Sequence, residues 1–204
     1  RLRRNVVTRI ISIGLSPFLM NLTACIGIII ITNSLTKYGG DMAVGAYGII
    51  NRFLFFFLMI IIGLMQGMQP IVGYNYGAKS YNRAFRVLKL SIFLGTLIST
   101  TGFLFGEFMP NVITSMFTTD KELIAISISG MRIMMLAVPL LGAQIISTGF
   151  FQSIGYVKTA IFLSLLRQLI LIIPALLVFP LFFGLNGIWM SVPISDTLAT
   201  IISI

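Results

Sequence analysis

The sequence predicts an all-α, polytopic membrane protein of six transmembrane helices, and three observations carry that prediction. Of its 204 residues, 57% are hydrophobic and only 9% charged, against roughly 25% charged in soluble domains. The mean hydropathy is +1.04. The apolar residues fall into long runs parted by short polar or glycine-bearing breaks, and none of the runs alternates with a period of two. In lipid the backbone of such runs is satisfied by helices and not by barrel strands.

Taken in order, the first span covers residues 10–36, with Gly14 and Pro17 near its start, and is long enough for a tilted crossing of a ~30 Å hydrocarbon layer. Residues 37–41, Lys-Tyr-Gly-Gly-Asp, form its turn. The second span covers 43–69 and carries Arg52. A glycine-punctuated stretch follows at 66–81, where Gly67, Gly73 and Gly77 supply permissive backbone and Pro70 removes an amide donor. There the apolar helix is expected to give way to a basic elbow holding Lys79, Arg83, Arg86 and Lys89. The third span, 85–108, closes at Glu107 and Pro110. Residues 111–122 read as a loop or short surface helix leading to a fourth span at 123–151, which carries Arg132 and Pro139. A turn at 155–158 leads to a fifth span at 159–183, with Arg167 and Pro174. Residues 183–187 turn into a sixth, 185–204, with Pro193 and Asp196.

Charge orients these spans. The chain has 14 Lys and Arg against 5 Asp and Glu, a net charge of +9. One set of loops collects Arg1, Arg3, Arg4, Arg9, Lys79, Arg83, Arg86, Lys89 and Lys158. The other has only Lys37 and Lys121, beside Asp41, Glu107, Asp120 and Glu122. Because lysine and arginine stay cytoplasmic, the amino terminus is expected on the inner side of the membrane. The bilayer accounts for the positive charge, and neither a basic groove nor a base-stacking platform points to nucleic acid. The opening basic residues imitate a signal peptide without a cleavage site. A start at Arg1 and a stop at Ile204 inside an apolar run read as cuts at both ends of a longer protein.

No enzyme is expected. The absence of histidine removes Ser/His and Cys/His pairs and the common zinc spacings, and Cys25 has no thiol partner for a disulfide. No dinucleotide or phosphate-loop motif has its required context, and no cofactor or metal site is expected.

Ionisable groups inside apolar spans stand out instead: Arg52, Arg132, Arg167 and Asp196. Each costs at least about 2.5–3.5 kcal/mol at the bilayer centre, so such groups face other helices or water. Counting from the neighbouring turns puts Asp196 roughly 16 Å deep and Arg132 roughly 15 Å deep, with Arg167 comparable. Asp196 is thus within geometric reach of either Arg167 or Arg132, as a structural ion pair or as part of a passage for substrate or ions. On the second span Asn51, Arg52, Gln66 and Gln69 fall within an arc of about 100°, and on the fourth Arg132, Gln144 and Ser147 within about 120°. These stripes read either as interhelical hydrogen bonding or as the lining of a central cavity. The prolines at 17, 139, 174 and 193 add breaks within spans.

Four passages resemble the multidrug and toxic compound extrusion (MATE) transporters of the bacterial branch. They are Gln-Pro-Ile-Val-Gly-Tyr-Asn-Tyr-Gly-Ala-Lys at 69–79, Phe-Phe-Gln-Ser-Ile-Gly at 150–155, Leu-Leu-Arg-Gln at 165–168, and Phe-Gly-Leu-Asn-Gly-Ile-Trp at 183–189 running on to Asp196. The resemblance implies one six-helix lobe, the carboxy-terminal one, of a twelve-helix transporter with a central cleft. It also implies a multidrug efflux antiporter, exporting small cationic amphipathic compounds in exchange for Na⁺ or H⁺ by alternating access. The partner so implied is an amino-terminal lobe of the same protein, which holds the coupling carboxylate in many members. Other members have an acid in the helix matching span 10–36, and this sequence has none there. A lipid-linked oligosaccharide flippase of the same superfamily is the alternative that Arg52 and Arg132 keep open, and a non-transporting fragment or scaffold is another.

Overall fold

The computed structural model describes the backbone of residues 4–156, 162 and 165–203. It describes side chains for Phe18 and from Asn21 onward, apart from residues 157–161, 163, 164, 168, 203 and 204. Arg1, Arg3, Lys158 and the start of the fifth span lie outside these residues, as do the side chains of Arg4, Arg9 and Pro17. The described residues contain no strand. They form α1 (Arg4–Gly77), α2 (Tyr81–Phe108), α3 (Pro110–Ser115), α4 (Lys121–Met135), α5 (Val138–Ser153), a π-helical segment (Leu166–Ile172) and α6 (Ile173–Ser203).

Two of these helices fold back on themselves. The apolar part of α1, Asn21–Gly77, has 57 residues, which at about 1.5 Å per residue would reach roughly 85 Å, nearly three hydrocarbon thicknesses. It turns at Gly40, whose φ of 65° and ψ of −166° belong to a region essentially reserved for glycine. Gly184 does the same for α6, with φ 56° and ψ −132°. The expected turn at 37–41 is therefore a single residue. The bundle registers accordingly: Gly39 faces Leu185 and Gly45 faces Leu123 at one end, while Gly149 faces Met65 and Gly73 the Ser153 carbonyl toward the other.

The second arm of α1 does not end near Gln69. It passes Pro70 and stops at Gly77, followed by a turn in which the Ser80 amide donates to the Asn75 carbonyl at 2.8 Å and Lys79 takes a φ of 59°. Proline removes only one intrahelical bond, and within a membrane bundle neighbouring groups compensate that loss. Arg83, Arg86 and Lys89 thus lie on the first turns of α2 and not in a loop. The fourth span is likewise two helices, α4 and α5, bent by 52°. Pro139 sits in the first turn of α5, where its missing donor costs no helical bond. The π-helical segment runs up to two residues before Pro174, which cannot donate to the carbonyl of Ile170; such wide turns are one way helices accommodate local disruption.

Packing follows membrane rules. The inward face of α2 is Ser91, Gly95, Ser99, Gly102 and Gly106, all buried, a small-residue seam that lets helices approach closely. Gly95 meets Gly142 of α5, Gly102 meets Phe57, and Gly106 meets Met135. One core cluster joins Leu35, Ile50, Met131, Leu176 and Trp189 across both arms of α1, α4 and α6. A second joins Ile61, Val72, Ala84, Ile146 and Phe150. Along α6 the hydroxyls of Ser191, Ser195, Thr197 and Thr200 each donate at 2.7 Å to the carbonyl four residues back, so they need no water.

Candidate functional site

The polar groups of the spans separate into three places. The first is an open groove of about 760 Å³ along the second arm of α1, bordered among the described residues by Gly48, Asn51, Arg52, Phe55, Phe56, Met59 and Ile60. Asn51 is half-buried and Arg52 exposed. The spacing of three and four residues puts all seven on one helical face. That periodicity was available in the sequence, which would have added Phe55, Phe56 and Met59 to the candidates. Gln66 is exposed nearer the elbow. Aromatic and thioether walls with one amide and one guanidinium suit an amphipathic ligand.

The second place lies between α1 and α5. The half-buried Gln69 donates from Nε2 to Oε1 of Gln152 at 3.3 Å, so an interhelical hydrogen bond occupies it. Gln144, about two turns further into α5, is 5% exposed, and its Oε1 has no hydrogen-bond partner among the described residues. A buried carbonyl oxygen left unpaired costs about 1–3 kcal/mol. Arg132 and Gln144 do not share a face: the bend between α4 and α5 separates them, and Arg132 is exposed whereas Gln144 is buried. The 120° arc rested on one continuous helix, and the break near Pro139 removes that premise.

The third place joins the π-helical segment to α6. Nε of Arg167 donates to Oδ1 of Asp196 at 2.5 Å, with the side chains 27% and 3% exposed. Of the two arginines within reach in sequence terms, Asp196 takes Arg167, and Arg132 has no part in the pair. The carboxylate is sealed and the guanidinium keeps one edge open, so the charge is neutralised without being wholly removed from water.

A family model, MatE, matches residues 16–177. The multidrug export protein MepA of Staphylococcus aureus (strain MSSA476) is 28% identical over 204 residues, covering 97% of this chain and 43% of that protein. Among solved structures, the MATE multidrug transporter DinF-BH, caught in a ligand complex, is 38% identical, with a TM-score of 0.87 over 100% of this chain and 46% of that one. An outward-facing MATE family transporter of the MOP superfamily has a TM-score of 0.92 at 19% identity, with the same shares covered, a likeness of fold alone. The chain spans less than half the length of the curated relatives it matches.

Proposed function

The chain belongs to the MatE family, whose matched members are multidrug export proteins and not enzymes, and from that premise we propose that it is the carboxy-terminal half of a multidrug efflux antiporter. It would export cationic amphipathic compounds in exchange for Na⁺ or H⁺, by alternating access against an amino-terminal lobe, from a plasma membrane with its own amino terminus cytoplasmic. The observation that carries this reading is the 38% identity, over the whole chain, to a multidrug transporter whose structure holds a bound ligand. The groove supports it: an open face with Phe55, Phe56 and Met59 beside Asn51 and Arg52 offers apolar contact to a planar, greasy ligand and few polar fixings.

In this reading Asn51, Arg52 and Gln66 form the lobe's wall of the cleft, while Gln69 is held by Gln152. Asp196 ties the last two spans together through Arg167 and does not take the coupling ion. Gln144 keeps a free acceptor at depth. The relatives favour efflux over the flippase alternative, since the curated matches are multidrug export proteins.

Accumulation of ethidium in cells expressing the complete protein tests the proposal. Accumulation should fall, and the effect should vanish when the ion gradient is collapsed. Unchanged accumulation at verified expression would overturn it.

A further inference from the structure

We propose that the elbow between α1 and α2 binds an anionic phospholipid of the adjacent leaflet, with its phosphate on Lys79 and Arg83 and an acyl chain in the aromatic groove beside them. The site is independent of the export reading. Two cavities adjoin there and share Tyr81. The smaller, about 330 Å³, is bordered by Lys79, Ser80, Asn82 and Arg83. The larger, about 640 Å³, runs between α2 and α5 under Phe85, Phe150, Phe151 and Ile154, with Tyr76 and Tyr156 at its polar end. One cavity is cationic, the next is greasy, and tyrosines stand between them.

The cations are held in place and unclaimed. The turn that carries Lys79 is fixed by backbone bonds from the Ala78 amide to the Tyr74 carbonyl and from the Lys79 amide to the Tyr76 carbonyl, each at 3.0 Å. Lys79 and Arg83 are both exposed. The whole sequence has 5 acidic residues. Asp41, Glu107, Asp120 and Glu122 belong to the opposite end of the bundle, and Asp196 is paired with Arg167. None of these acidic side chains is available to answer the elbow, so a phosphate supplies the missing charge.

The groove has the dimension and chemistry of a chain site. Tyr81, Phe85, Leu88 and Ile92 follow one another at helical spacing along one face of α2. From Tyr81 to Ile92 that face extends about 16 Å, close to half of the ~30 Å hydrocarbon layer. Phe85 and Phe150 face each other across it with ring centroids 5.9 Å apart, and the Tyr76 and Tyr81 rings meet edge-on at 5.2 Å. Tyrosine prefers the headgroup level, where its ring is apolar and its hydroxyl wet. A soluble anion would use the first cavity only; a neutral lipid would use the second only.

The test reads thermal unfolding of the purified chain in phosphatidylcholine nanodiscs against a titration of phosphatidylglycerol. The wild type should gain stability saturably. The exposed pair K79Q/R83Q, which disturbs no core, should require about 25-fold more phosphatidylglycerol, roughly fivefold per cation lost. K37Q/K121Q, at the far end, should behave as wild type. Equal loss in both double variants would mean diffuse surface charge and overturn the proposal, as would no stabilisation of the wild type. Protection by glycerol phosphate in neutral nanodiscs equal to that by phosphatidylglycerol would overturn the role of the groove.

Discussion

Replacing Gly142 by alanine should weaken the fold more than any other methyl addition along the seam between α2 and α5. A Cβ at Gly142 would overlap the carbonyl carbon and oxygen of Gly95 and lie 2.8 Å from Oγ of Ser99. The obstacle is backbone on the facing helix, so no rotamer change relieves it. Carbon and carbonyl oxygen ordinarily approach to about 3.3–3.6 Å, so α2 and α5 must part by about 1 Å. Overpacking of this kind costs about 1–3 kcal/mol. The same movement strains the bond from Oγ of Ser99 to the Pro139 carbonyl, now 3.0 Å, and such interhelical bonds are worth about 0.6 kcal/mol. A loss of about 2–3 kcal/mol lowers the folded-to-unfolded ratio roughly 30- to 150-fold. Gly95→Ala should cost less, because its nearest contact would be the Ile146 side chain at 3.1 Å. Gly63→Ala meets nothing within 4 Å and should be neutral or gain up to about 1 kcal/mol of helix propensity. Thermal unfolding in mild detergent can follow Trp189, the single tryptophan, which is 1% exposed. If Gly142→Ala and Gly63→Ala unfold together, the close approach of α2 and α5 is wrong.

Three further outcomes follow from the same geometry. Gly40→Ala and Gly184→Ala have open space for a methyl, so each should lose about 1–3 kcal/mol through backbone strain alone; the helical Gly48→Ala, equally open, should lose none in the same melt. Arg167→Gln strands a carboxylate that is 3% exposed and should cost about 3–5 kcal/mol. Asp196→Asn leaves an arginine that reaches water and should cost about half as much, with the double variant milder than Arg167→Gln; the reverse order in unfolding temperature would refute the assignment. Gln144→Leu removes the unpartnered buried oxygen and should raise stability by about 1 kcal/mol or more, while lowering ethidium export by the complete protein; a drop in unfolding temperature would show that the amide is paired.

How much of this was legible in the sequence depends on the range of the forces concerned. The all-helical, polytopic character follows from composition, because lipid admits few solutions for a backbone polar group. The sorting of Lys79, Arg83, Arg86 and Lys89 from Asp41, Glu107, Asp120 and Glu122 was equally plain, since the turns at Gly40 and 78–80 stand at the two ends of one helical arm and carry charge to opposite ends of the bundle. What local signals missed is what only packing decides. Pro70 looks like a terminator, yet the helix continues to Gly77 because the bundle around it tolerates a lost bond. Residues 123–151 look like one span, yet α4 and α5 bend near Pro139, and that bend parts Arg132 from Gln144. The depth count brought both Arg132 and Arg167 within range of Asp196; axial position is readable from rise per residue, but which neighbour lies alongside is a matter of helix adjacency. The same holds for the elbow: its cations were visible as a cluster, but the groove that gives them a ligand class exists only because Phe150 and Phe151, about seventy residues on in sequence, pack against the first turns of α2. A charge run acquires chemical meaning from the apolar surface folded next to it, and that surface comes from another part of the chain.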